Sequence, residues 1–229
     1  FWFYINCYWN FNFYGQNVCF SILFSRIVRS FESRVVEYNL VMSNNINIQK
    51  CLKITGKDAL SFVESIISNN LDNEKLKPSY LLGPDGKVHH WFFVHEINDD
   101  ILIYQEDSEL QTILDNLKKY AIRIECEFVL ETVSNVLVAN IENLEIKIVD
   151  EFFDDTVSWE TYEILNEIPT RRIINEGLLP NETKWLDNFV DFEKGCFLGQ
   201  EQASRIKYRG NPRRVLITNE NGKQEMIKI

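Results

Sequence analysis

The sequence predicts an α+β fold, on three observations. The stretch SYLLGPDGKVHHWFFVHEINDDILIYQED holds three strand-like runs cut by the turn clusters Gly83-Pro84-Asp85-Gly86 and Asn98-Asp99-Asp100, the pattern of an antiparallel meander. Two neighbouring segments, DALSFVESIISNN and SELQTILDNLKKYA, space their apolar residues as helices do. From Ser134 strands and a short helix partly repeat this arrangement. Two α+β regions are therefore expected, residues 42–133 and 134–212, with a β hairpin at 213–229 as the remnant of a C-terminal β domain.

Element by element, CLKIT is a short strand that Gly56 ends. In the helix after it, Ala59, Leu60, Phe62, Val63, Ile66 and Ile67 form one apolar face, suited to packing on a sheet. In the second helix Leu110, Ile113, Leu114, Leu117 and Ala121 share a side, and Ser108 is placed to cap it. RIECEFVLETV returns to strand. VLVANI and EIKIVDE are strand-like, WETYEILNEI is a short helix, and TRRIINEGLLP runs into a turn. NPRRVLITNENGKQEMIKI folds back on itself with Asn221-Gly222 at the turn. A lone hairpin cannot bury its own apolar face, so it must lean on the preceding region or belong to a truncated third domain.

Residues 1–41 stand apart. Of 30 aromatic residues in the chain, 13 fall there, and the first methionine is Met42, so the segment is set outside the fold. It reads either as translated upstream sequence or as an amphipathic leader carrying Arg26, Arg29 and Arg34. Polar residues interrupt every apolar run, which argues against a membrane span. A cytoplasmic location is expected, or the mitochondrial matrix if the segment is a transit peptide.

The chain is 229 residues long, 45% hydrophobic and 25% charged, the composition of a soluble globular protein. A net charge of -10 excludes a surface adapted as a whole to DNA or anionic membrane, because phosphate binding needs clustered cations. Five widely spaced cysteines with no C-x-x-C pair signal neither a disulfide framework nor a zinc site, and fit a reducing compartment.

His89, His90 and His95 lie in one strand-like run, with His90 facing away from the other two, and are read as structural because a metal needs three or four converging ligands. Asp99-Asp100 and Asp154-Asp155 are read as solvated turn residues. The run KGCFLGQEQASRIKYRGNPRR differs. It sets Lys194, Arg205, Lys207, Arg209, Arg213 and Arg214 against the single acid Glu201 in a chain that is otherwise negative. A solvated charged helix is the plain reading; a partner anion such as a polyglutamylated cofactor, a phosphate or RNA is the functional one. Gly195 and Gly199 flank Cys196 and allow a close backbone approach. A cysteine beside cations can have its thiolate favoured, the form that attacks electrophiles or binds metal.

DFEKGCFLGQEQASRIKYRG resembles the signature of the YgfZ family of folate-binding proteins, relatives of the glycine-cleavage T-protein. The motif K-G-C-[YF]-x-G-Q-E, then an arginine and Y-R-G, is matched by Lys194, Gly195, Cys196, Phe197, Gly199, Gln200, Glu201, Arg205, Tyr208, Arg209 and Gly210. ITGKDALSFVESIISNNL, YLLGPDGKV and LLPNETKWLDNFVDF extend the resemblance, which covers about Ile46 to Leu216. It implies two α+β regions around a folate pocket, followed by a C-terminal barrel that here is reduced to a hairpin. It also implies tetrahydrofolate or a derivative as cofactor, and a role in assembling or repairing iron-sulfur proteins, with effects on tRNA modification. On this resemblance Cys196 is the reactive or cluster-contacting thiol. Lys194, Arg205 and Arg209 supply positive charge, Gly195 and Gly199 shape the loop, Gln200 and Glu201 organise hydrogen bonds, and Tyr208 completes the binding set.

Two rival functions remain. The T-protein reaction, aminomethyl transfer on tetrahydrofolate, depends on an aspartate in a G-G-x-I-D-D pattern; here the comparable run is GKVHHWFF, with His90 or Trp91 in its place and no other carboxylate evident nearby. An RNA-binding module would need a stacking platform of several aromatics, and only Phe197 and Tyr208 are close in sequence.

Overall fold

The computed structural model describes residues 45–140, 145–149, 156–210 and 212–229; the expected leader at residues 1–41, the last residues of EIKIVDE and the Asp154-Asp155 pair lie outside them. A six-stranded antiparallel sheet carries the fold of the unit Ser43–Ile229. Its strands are β1 (Asn45–Thr55), β2 (Lys77–Leu82), β3 (Val88–Ile97), β4 (Asp100–Tyr104), β5 (Glu127–Asn140) and β6 (Glu145–Val149). In space they lie in the order β2-β3-β4-β1-β5-β6. The expected meander is present, with Tyr80 opposite Trp91 and Phe93 opposite Tyr104. The first strand then enters the middle, pairing Leu52 with Ile103 on one side and with Leu130 on the other. β5 continues through Val133 and Ser134, where the sequence reading divides two regions, but its register with β1 shifts there, between the pairs Lys50–Thr132 and Ile48–Asn135.

Period-2 alternation sorts the side chains into two layers. Cys51, Tyr80, Trp91, Phe93 and Tyr104 belong to one core, while Leu52, Leu81, Phe92, Val94 and Ile103 belong to the other. Every residue of β3 from His90 to Val94 is buried, so this strand is covered on both faces. The second core is closed by α1 (Ala59–Ile66) and α2 (Asp107–Tyr120), through Phe62, Val63, Leu110, Ile113 and Leu117. Each such fully buried side chain contributes about 1.5–3 kcal/mol relative to exposure. The first core is closed by later elements: α3 (Trp159–Asn166), α4 (Arg171–Asn175), a 3-10 turn at Pro180–Glu182, α5 (Leu186–Phe189) and α6 (Gln200–Arg209).

Three local expectations are corrected. Leu60 is 40% exposed, off the stripe that Phe62, Val63 and Ile66 bury. Ile67 is buried in an extended conformation that bridges Leu81, not on the helix face. Ser108 lies inside α2, whose N-cap is Glu106; Asp107 and Glu109 in the first turn complement the helix dipole there. In addition, TRRIINEG forms α4 before it turns.

The C-terminal hairpin, β7 (Arg214–Thr218) and β8 (Gln224–Lys228), leans on the preceding elements. Leu216 and Met226 pack against the first core. Buried Gln224 accepts from Thr170 N at 2.9 Å and donates to the carbonyls of Ile168 at 2.6 Å and Glu163 at 3.3 Å. Arg214 donates to Glu182 at 2.7 Å and to the Gly177 carbonyl at 2.8 Å.

The glycine turn Gly83–Gly86 and the start of α6 are packed backbone to backbone. Gly199 has φ 77°, and a Cβ there would stand 2.5 Å from the Gly83 carbonyl oxygen and 2.9 Å from Leu82 Cβ. Only glycine supplies both that dihedral and that clearance. Gly195 has open space around its Cα. Gly199→Ala is therefore expected to cost at least about 2 kcal/mol in urea unfolding, whereas Gly195→Ala should stay within about 0.5 kcal/mol of the parent.

Candidate functional site

The KGCFLGQE segment has an inner and an outer side. Asp191 opens it as a local turn, its Oδ1 accepting from the backbone N–H of Glu193 at 2.8 Å and Lys194 at 3.2 Å. Lys194 then points inward. Its Nζ, on a side chain only 4% exposed, donates to the carbonyls of Asn69 at 2.7 Å and Ile67 at 3.2 Å and meets Glu64 at 3.2 Å. Those carbonyls follow the C-terminus of α1, where a cation offsets the helix dipole. Burial pulls the Lys194 ammonium below its ordinary range, and Glu64 opposes that shift. Phe197 is 6% exposed within the first core.

On the outer side, Cys196 is exposed, while Cys51 is buried and Cys126 half-buried. Burial pushes the Cys51 thiol up to about 11. Gly195 is exposed and Gln200 half-buried; Glu201 pairs with Arg205 at 2.8 Å, one helical turn on. Tyr208 is 69% exposed and sits edge-on to Phe192, 6.1 Å between ring centres. Lys207 lies over the Phe192 ring and pairs with Asp187 at 2.7 Å. The side chain of Arg209 lies outside the described residues. The basic run is thus less positive in space than in sequence. Lys194, Arg205, Lys207 and Arg214 each face a carboxylate, three of them from distant segments of the chain.

A cavity of about 300 Å³ opens elsewhere, between β3, the entry to α2, α3 and α4. His90 and Trp91 form its floor; Gln105, Glu106 and Glu109, then Glu160 and Glu163, then Thr170, Arg171 and Arg172 form its walls. A second hollow of about 430 Å³ shares His90, Arg171 and Ile174 with it and adds Lys87, His89 and Asn116. Neither is lined by a described residue of Lys194–Tyr208.

At the shared wall the hydrogen bonds fix the state of His90. Lys119 donates to Asn116 Oδ1 at 2.6 Å, which turns the amide nitrogen toward His90 Nε2 at 2.7 Å. Nε2 is then an acceptor, and Nδ1 carries the proton toward Glu109 Oε2 at 3.2 Å; Arg171 Nη1, also 3.2 Å from Nδ1, is then beside it without a hydrogen bond between them. Burial lowers the imidazole's affinity for a second proton, so His90 is neutral. The His90 bond and then Arg171 hold the Glu109 carboxyl below its ordinary range. Arg171 lies 3.4 Å from Glu109 and donates to the His89 carbonyl at 2.6 Å. His90 is a positioning residue here, with both ring nitrogens engaged.

Glu163 is different. It is buried, and its Oε1 accepts from Trp91 Nε1 at 2.7 Å. Among the described residues no cation pairs with it. Burial pushes its carboxyl up to about 8; the Trp91 bond opposes this, and Glu106, Glu109 and Glu160 add to it. The expectation that no carboxylate stands near His90 and Trp91 is overturned, because Glu109 and Glu163 line the same cavity. Glu109 lies on the next helix along the chain and Glu163 on one 72 positions from Trp91, and the alternation within β3 carries no sign of either. Among the described residues no group of His, Cys, Asp and Glu converges as a metal site, and no helix is long and apolar enough to cross a membrane.

No family model and no curated protein matches the chain. Among solved structures, the crystal structure of glycine cleavage system aminomethyltransferase T from Bartonella henselae is similar at a TM-score of 0.58, over 79% of this chain and 71% of that one, with 11% identity. At that identity the likeness is one of fold: mixed α/β, built on an antiparallel sheet.

The buried Glu163 has a consequence for stability. Its proton is held to about pH 8 in the folded chain but released near pH 4.5 when unfolded, so the folded state binds more protons between those values. Stability contributed at this site is complete below that window and falls as pH rises through it. Glu163→Gln should therefore unfold at a higher temperature than the parent near pH 8. The gap should close toward pH 4.5 in scanning calorimetry.

Proposed function

We propose that the chain is a folate-binding accessory protein for the assembly or repair of iron-sulfur proteins, acting in the cytoplasm, or in the mitochondrial matrix if residues 1–41 are a transit peptide. The cavity at Trp91 and Glu163 carries the folate half of this reading. It joins the buried edge of Trp91, a buried carboxyl able to take N–H donors, and the cations Arg171 and Arg172 at its side. A pterin is a flat heterocycle with an N–H-rich edge, and the rest of a folate ends in carboxylates. The first suits Glu163 and Trp91; the second suits Arg171 and the adjoining hollow with Lys87 and His89. The likeness in fold to an aminomethyltransferase T agrees with the sequence resemblance, which implies tetrahydrofolate as the ligand.

The iron-sulfur half rests on that resemblance and on the exposed thiol of Cys196. Four thiolates commonly hold a cluster, so one cysteine acts by sharing a cluster with a client or assembly protein, or as a transient redox thiol. Glu201, Arg205 and Tyr208, exposed at helical spacing along α6, with Gln200 at its first turn, then belong to the partner surface. The same face is where a tRNA contact would fall, with Tyr208 and Phe192 as its stacking pair.

Aminomethyl transfer is the second reading, favoured by the carboxyls of Glu109 and Glu163 beside the position of the missing aspartate. Calorimetry of the full chain with 5-formyltetrahydrofolate should register binding, and no heat at millimolar ligand would sink the folate claim. Mixed with aminomethyl-loaded carrier and tetrahydrofolate, the protein should make no methylenetetrahydrofolate; turnover would move the second reading ahead of the first. In cells lacking their own family member, the parent should restore activity of a [4Fe-4S] enzyme and Cys196→Ala should not. Full rescue by the variant would remove Cys196 from the mechanism.

A further inference from the structure

Among the described residues no cation pairs with Glu163, which is buried in the wall of a cavity, and such a group is costly unless a ligand uses it. Its surroundings limit what that ligand can be. Glu160 is one turn earlier on α3, Glu106 and Glu109 face it from the entry to α2, His90 from β3, and Arg171 and Arg172 from α4. The arginines are drawn away: Arg171 toward Glu109 and the His89 carbonyl, Arg172 toward Glu176 at 2.8 Å and the Gln224 carbonyl. From β8, the Gln224 side-chain amide donates to the main-chain carbonyl of Glu163 and not to its carboxyl. What remains at the carboxyl is one donor, Trp91 Nε1, set among other acids. An anion is repelled there, and a group that brings N–H donors is favoured.

We infer that Glu163 reads the N–H edge of a pterin-type heterocycle and gives up its proton as that edge docks, so that ligand binding in this cavity is coupled to proton release. The inference rests on the folate reading above. In the docked state Oε1 accepts from Trp91 and from the ring N–H, and Oε2 accepts from the exocyclic amine; a carboxylate has lone pairs for all three. The carboxyl proton passes to bulk water, leaving Glu163 singly negative and the heterocycle neutral. Three donors on one carboxylate overcome the burial that keeps the empty site protonated. His90 stays neutral and Glu109 ionised, both held by their mutual bond, so neither supplies the proton.

The sign of the pH dependence tests this. With 5-formyltetrahydrofolate as probe and the full chain, affinity should rise about tenfold per pH unit from about pH 6 and level off near about pH 8. Calorimetry in buffers of different ionisation enthalpy should find about one proton released per ligand near pH 6.5. Glu163→Gln should bind about tenfold more weakly at pH 8, with no pH slope and no proton release. Para-aminobenzoylglutamate, the same tail without the heterocycle, should release none. Affinity that is flat with pH, or that falls as pH rises, overturns the role of Glu163 while leaving folate binding intact. Absence of binding at every pH overturns both. If Glu163→Gln fails to fold, the proton count of the parent alone decides.

Discussion

The hydrogen bond from Trp91 to Glu163 joins the hydrophobic core to the cavity. Trp91 is held at the centre of an aromatic cluster, edge-on to Phe93, Trp159 and Phe189 at 5.2, 5.8 and 6.1 Å. An indole N–H buried that deeply needs an acceptor, and leaving it without one costs about 1–3 kcal/mol. Glu163 meets that need and is drawn out of water in doing so. The packing of β3 and the protonation of the cavity carboxyl are therefore one constraint. The C-terminal hairpin extends it: Gln224 ties the Glu163 and Ile168 carbonyls and the Thr170 N–H together, bracing the end of α3 against the start of α4.

Much of the fold was legible because it is written in local periods. The meander follows from alternation and turn chemistry, and Leu110, Ile113, Leu114 and Leu117 are buried together as helical spacing requires. The division at Ser134 was not legible as a strand interior. RIECEFVLETV and VLVANI read separately as strands; both pair with β1 along β5, with a register shift where they join. Ser108 has the chemistry of a cap, but the chain turns into α2 at Glu106, before it.

The sites were legible unequally for the same reason. Gly195, Cys196 and Gly199 lie in one short segment, and the sequence shows that its backbone can turn sharply, but not that Gly199 is the packed glycine, Gly195 the open one and Cys196 exposed. The charge of that segment could not be anticipated either, since Glu64, Asp187 and Glu182 reach Lys194, Lys207 and Arg214 from elsewhere. The cavity is the extreme case. His90, Glu109, Glu163 and Arg171 span 82 positions in sequence and meet only once β3 is covered by helices from both directions.

The geometry also separates two chemistries that the family resemblance places together. Cys196 and the outward face of α6 line neither hollow, so a ligand at Glu163 and a partner at Cys196 do not compete for the same atoms. They are joined through the turn Gly83–Lys87. On one side of it Gly199 packs against the Gly83 carbonyl and Gly86 against Gln202; on the other, Asp85 and Lys87 line the second hollow. A Cβ at Gly199 would stand 2.5 Å from the Gly83 carbonyl oxygen, so the turn and the start of α6 are close neighbours. A ligand whose tail fills the second hollow can bias Cys196 only to the extent that it binds one arrangement of this turn more tightly than another. The need for glycine at Gly199 comes from its dihedral and from the room its missing Cβ leaves for the Gly83 carbonyl, whereas Gly195 has open space around it.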